Sequence, residues 1–135
     1  MTRFWCSFAF FSILTGCGSS EHTYRNLQEA RAAHVFGRFL PDVLPASSRN
    51  IFVRHKLGSA GDSGGFCFDS RERATFFKKL SDSIDVKVWG DDFRKTIPTL
   101  GLVGVHPLTY DSSEGHWVFF CTDGNECTTC TWMKR

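Results

Sequence analysis

Long runs of one kind are what this 135-residue sequence lacks. No basic block exceeds a pair, and sixteen Lys and Arg against fourteen Asp and Glu leave a net charge of +2. A phosphate backbone needs a concentrated positive face, so nucleic acid is excluded as a partner. The longest apolar stretch, Phe4–Leu14 (FWCSFAFFSIL), has eleven residues. A helix needs roughly 20 to cross a hydrocarbon core, so this stretch is too short to span one. The five histidines, at 22, 34, 55, 106 and 116, show neither HxH nor HxxxH spacing. No metal or other cofactor is expected. The length excludes two ordinary domains. What is present is 41% hydrophobic and 15% aromatic content, enough for one packed core.

Met1-Thr2-Arg3 places one positive charge before the apolar stretch, and Leu14-Thr15-Gly16-Cys17 follows it. These are the length and flanks of a signal-peptide core. "LTGC" in that position resembles a bacterial lipobox: an aliphatic residue, two small ones, then cysteine. The resemblance implies cleavage before Cys17, removal of residues 1–16, and lipidation of the Cys17 sulfur. The mature chain then has 135 − 16 = 119 residues. Two or more acyl chains, at about 0.8 kcal/mol per buried methylene, make stable anchoring. Residues 17–22 read as the lipidated cysteine and a short polar tether, and 23–135 as one small domain. Gly18 follows the cysteine where aspartate would, in Gram-negative lipoproteins, favour retention in the inner membrane. That implies a bacterial envelope location, the outer membrane where there is one.

With Cys6 in the signal and Cys17 lipidated, four cysteines remain: Cys67, Cys121, Cys127 and Cys130. Export exposes them to oxidising conditions, and an even count reads as two disulfides. Strand-forming residues flank Thr122-Asp123-Gly124-Asn125-Glu126, a turn sequence with Asp-Gly inside it. A three-residue loop, 123–125, would set Cys121 opposite Cys127 and leave Cys67 to pair with Cys130. A two-residue turn would shift the register and favour another pairing. Cys127-Thr-Thr-Cys130 also has the spacing of a redox pair or half a zinc site. A redox pair wants a helix start, however, and zinc wants a second close pair.

Along the mature chain, Glu21–Phe36 has helix-forming composition with Gly37 as its stop. "LPDVLP" (40–45) is a stiff connector, and "PASSRN" (45–50) one short turn. Ile51–Leu57 alternates as a strand with Ile51, Val53 and Leu57 on the buried face and His55 as the exception. Phe66-Cys67-Phe68 is a short strand. Asp69 and Glu72 form a capping box before a helix over 70–81 that buries Ala74, Phe77 and Leu80, with Phe76 beside them. Val86–Trp89 reads as a strand end, Gly90-Asp91-Asp92 as a turn, and Leu100–Val105 as apolar. His106–Tyr110 is an edge strand by its proline. The segment Ala30–Phe68, through "RFLPDVLPASSRNI", resembles a family of small uncharacterised bacterial lipoproteins with a WLPxxLPxSA-type segment. Phe39 stands for the tryptophan and Ser48 for the alanine. That likeness implies a class and no activity. A proline-rich ligand is the competing reading of the segment, and its prolines are four apart where such ligands have three.

The string Gly61-Asp62-Ser63-Gly64-Gly65 resembles the nucleophile motif of trypsin-like serine proteases, with His34 and Asp42 preceding it in the matching order. That architecture assembles its triad between two barrels and needs a chain roughly twice this length. A glycine-rich turn between two strands explains the string more simply. Asp91-Asp92 is a solvated turn, and Trp89, Trp117 and Trp132 are core or sheet-face residues.

The expected fold is α+β: two helices packed on an antiparallel sheet of about four or five strands, closed by a C-terminal hairpin over 117–132 and stapled by disulfides. The expected function is an envelope-anchored module, not an enzyme, that binds or blocks a protein. The alternative is a small envelope enzyme exchanging thiols through Cys127 and Cys130.

Overall fold

The computed structural model describes residues 19–56, 61–91, 93 and 106–135. The expected signal, Cys6, Cys17, the strand end at Leu57, Asp92 and the apolar stretch 100–105 lie outside the described residues. The elements run β1 (Ser19–Asn26), α1 (Leu27–Ala32), β2 (Arg49–Lys56), β3 (Ser63–Phe68), a 3-10 turn at Ser70–Glu72, α2 (Arg73–Phe77), α3 (Val86–Trp89), β4 (Pro107–Ser112), β5 (Gly115–Asp123) and β6 (Thr128–Lys134). The fold is α+β, and among the described residues six strands form one antiparallel sheet in the order β1-β2-β3-β6-β5-β4. The sheet is larger than expected and the helices are shorter.

The added strand comes from the expected tether and helix. Residues 19–26 pair with β2 from Ser19↔Lys56 to Asn26↔Arg49, so the helix expected from Glu21 does not form there. Helix propensity spans tenths of a kcal/mol per residue, and pairing along a whole strand outweighs it. The helix begins only after Asn26, whose side chain accepts from the Glu29 N–H at 2.9 Å. His34, at φ +55°, ends it where Gly37 was expected to. Asp69 caps the next turn through the Arg71 N–H. Glu72 does not complete a capping box, because its carboxylate accepts from the Ser47 N–H and Oγ, while the Asp69 N–H donates to Ser47 Oγ. The helix then ends at Phe77 with Phe76 buried, Phe77 and Leu80 half-buried and Ala74 exposed. Val86–Trp89 is helical because the Asp85 side chain caps it through the Lys87 N–H.

Each face of the sheet carries a core. On one face the odd positions of β2 and β5 and the even positions of β3 and β6 project Ile51, Val53, Phe66, Phe68, Trp117, Phe119 and Trp132. The connector is part of this core: Leu40, Val43 and Leu44 are buried, as is Pro41. On the other face Val118 and Phe120 pack with Trp89 and Phe93. Strand β4 lies at the sheet edge, as its proline predicts, and Ser81 covers part of that edge through reciprocal backbone bonds with Thr109.

From Ser63 on, the glycine string is strand and not turn. Ser63, Gly64 and Gly65 begin β3 between β2 and β6. A Cβ on Gly64 would stand 2.5 Å from the Trp132 indole, and one on Gly65 would stand 2.6 Å from the Phe52 ring. The two glycines clear opposite faces of the sheet for these two rings.

The hairpin β5–β6 forms, but its register differs from the expected one. Asp123 pairs with Thr128, which makes Gly124–Cys127 the loop and sets Cys121 opposite Cys130. The bonds are Cys121–Cys130, with Cα atoms 4.1 Å apart, and Cys67–Cys127, with Cα atoms 5.9 Å apart. This corrects the expected pairing of Cys121 with Cys127 and Cys67 with Cys130. The turn lies later than expected: the Asp123 carboxylate accepts from Thr128 Oγ1, and the Gly124 N–H donates to the Cys127 carbonyl.

Candidate binding groove

Because β1 and β2 are antiparallel, Ser20, His22 and Tyr24 share a face with His55, Val53 and Ile51, their direct partners. That face meets the chain leaving α1, where Ala33, Val35 and Phe39 stand over it. Between them lies a cavity of about 260 Å³. Its floor is Val53, its walls are largely apolar, and its polar groups are Ser20, His22 and His55 near the start of β1, with the Tyr24 ring further along.

His55 breaks the apolar alternation of β2, and the structure shows how it is held. Its Nδ1–H donates to Asp62 Oδ1 across the β2–β3 connection, and the Phe39 ring packs against it edge-on with centroids 5.4 Å apart. The Asp62 side chain is 12% exposed and that of His55 36%, so the carboxylate sits behind the imidazole and the ring faces outward. An imidazole tied at Nδ1 keeps Nε2 for whatever enters the groove.

The protease-like residues do not assemble. His34 is exposed beyond α1, the Asp42 carboxylate accepts from Tyr110 Oη at 2.9 Å, and neither hydrogen-bonds Ser63. Burial, followed by the bond to Asp42, raises the Tyr110 hydroxyl above its ordinary range. Ser63 lines a shallow depression with Arg54 and Phe52 on the face opposite His55, so the His55–Asp62 pair does not reach it. The thiols are equally separated: Cys127 and Cys130 belong to different disulfides, and Cys130 is buried. His116 pairs with Asp111 at 2.8 Å, His106 is exposed, and Asp91 lies in an exposed turn. Trp89, Trp117 and Trp132 are buried. Among the described residues no three His, Cys, Asp or Glu side chains gather around one point at metal distances.

His22, Tyr24 and Phe39 were not singled out as site residues. The signal was available in the alternation 20, 22, 24, but helix-forming composition masked it. No family model matches the chain, and neither does any curated protein or solved structure.

Proposed function

We propose that the protein is a bacterial envelope lipoprotein, anchored by fatty chains on Cys17, whose disulfide-stapled domain binds or blocks a partner and is not an enzyme. What supports this reading is the LTGC motif at 14–17 directly after the apolar stretch Phe4–Leu14. In this reading the domain is held at the membrane surface, in the outer membrane where the organism has one. The pairing of all four remaining cysteines supports an exported, oxidised chain. Their separation into two bonds gives thiol exchange through Cys127 and Cys130 no support.

Mass spectrometry of the protein purified from its native membranes tests the proposal. An amino terminus at Cys17 with added acyl mass is expected, and Cys17→Ala should move the chain to the aqueous fraction. A chain that starts elsewhere and carries no lipid mass overturns the anchored reading.

A further inference from the structure

We propose that the groove between β1, β2 and the chain after α1 binds a small amphiphilic carboxylate: one short apolar chain or ring ending in a single acidic group. Three observations converge on that chemistry, and none depends on whether Cys17 carries lipid.

The first is size. At about 260 Å³ the cavity falls just below the range of roughly 300–1,000 Å³ in which drug-sized ligands bind. It suits a single ring or a medium-length chain.

The second is polarity and its placement. Val53, Val35, Ala33 and Phe39 offer apolar contact, whereas Ser20, His22 and His55 are grouped by the register Ser20↔His55 and His22↔Val53. A ligand apolar along its length and polar at one end matches that division.

The third is sign. Among the described residues no carboxylate lines the groove. The nearest, Asp62, is engaged behind His55 through Nδ1. Donors face the ligand in the Ser20 hydroxyl and a ring N–H of His22, with the His55 imidazole, engaged by Asp62 through Nδ1, beside them. An acceptor-only group with two oxygens satisfies them. A metal ion would find at most these two imidazoles, since no third metal-type ligand converges here among the described residues.

The test titrates the full chain, with both disulfides confirmed, with octanoate by calorimetry, using octanol and acetate as the two halves of the ligand. Octanoate should bind once per chain, with octanol and acetate each at least about ten-fold weaker. His22→Gln and His55→Gln should each weaken octanoate about ten-fold while leaving octanol unchanged. Phe39→Ala should weaken octanoate and octanol alike. N-acetylleucine as a second acid separates a straight-chain ligand from a peptide's terminal residue, and binding of either acid in this pattern supports the site. Equal affinity for octanol and octanoate overturns the proposal. So does indifference to both histidine substitutions in folded, fully oxidised protein, or the failure of both acids to saturate the chain.

Discussion

Gly64→Ala is the substitution that separates a structural from a catalytic meaning of the Gly61–Gly65 string. The added Cβ would stand 2.2 Å from the Phe52 carbonyl oxygen and 2.5 and 2.7 Å from two atoms of the Trp132 indole. Neither neighbour can yield cheaply. The carbonyl belongs to β2, paired with β3, and Trp132 is 1% exposed within the core. Overpacking a core costs about 1–3 kcal/mol where side chains can adjust. Expelling the indole instead forfeits packing worth about 3–5 kcal/mol. The expected loss is therefore about 3 kcal/mol or more, a large share of the roughly 5–15 kcal/mol that small domains possess. Urea unfolding followed by tryptophan fluorescence, with the disulfides intact, reads it directly. With a slope of about 1–3 kcal/mol per molar, the midpoint falls by at least about 1 M. Gly65→Ala meets the half-buried Phe52 ring at 2.6 and 2.9 Å, which can swing aside, and the Cys130 carbonyl oxygen at 3.1 Å, and should cost about 1–2 kcal/mol. Ser63→Ala should stay within about 0.5 kcal/mol. A Gly64→Ala midpoint equal to that of the unaltered protein would refute the close-packing argument.

Three further outcomes follow from the same geometry. Non-reducing peptide mapping should find Cys67–Cys127 and Cys121–Cys130, and replacing each pair by alanine should cost about 4 and about 2.5 kcal/mol respectively, because the separations are 60 and 9 residues; the reverse order in chemical denaturation counts against loop closure as the cause. Thr109→Val removes the hydroxyl that donates to the Ser83 carbonyl at 2.8 Å at a buried edge position, and should lower stability by about 1–2 kcal/mol in the same urea assay, an unchanged midpoint arguing against the edge cover. The Arg71 side chain, and then its backbone N–H, hold the Asp69 carboxyl down at about 2; its contribution is present above the ordinary value of 3.8 and lost as pH falls through about 2, so NMR titration should place its midpoint near 2, and a midpoint near 3.8 would contradict the cap.

Much of the sheet is legible in the sequence, and the parts that are not share a cause. The alternation Ile51, Val53, His55 marks both the buried face of β2 and its exception, and that exception is the polar centre of the groove. Pro107 marks an edge strand, and the Trp117–Phe120 run marks a strand of the C-terminal hairpin. What fails most is the first strand and the register of the last hairpin, both of which require knowing a strand's partner. Residues 21–26 have the composition of a helix, and only pairing with β2 makes them a strand. The Asp-Gly of 123–124 has the composition of a turn centre, but Asp123 closes the ladder opposite Thr128 and the turn shifts toward Cys127. That displacement sufficed to exchange both disulfide partners. Two caps were locally readable: Asp85 before Val86 and Asn26 three residues before Glu29.

The corrected register also determines where the molecule is stiff. Cys121 and Cys130 lie on the face of Trp117 and Phe119, whereas Cys67 ties β3 to the hairpin loop from the opposite face. Strands β3, β6 and β5 are thus cross-linked from both sides. The first two strands, which carry the floor and the polar end of the groove, have no such link. Strand β2 is fixed by Ile51 and Val53 in the core and by the contact of His55 with Asp62, whereas β1 is held by its ladder to β2, the half-buried Tyr24 and the exposed Arg54–Glu21 pair at 2.9 Å. Exposed ion pairs contribute about 0–1 kcal/mol, so β1 should open without disturbing the stapled centre. Binding elements are drawn from the less stable parts of a fold, because admitting a ligand requires movement. Native-state amide exchange in the oxidised protein should therefore be orders of magnitude faster at His22 and Tyr24 than at Phe119 and Phe120. Equal protection across the sheet would mean that β1 is as firmly fixed as the disulfide-linked strands, and the groove would then have to be a rigid, preformed slot.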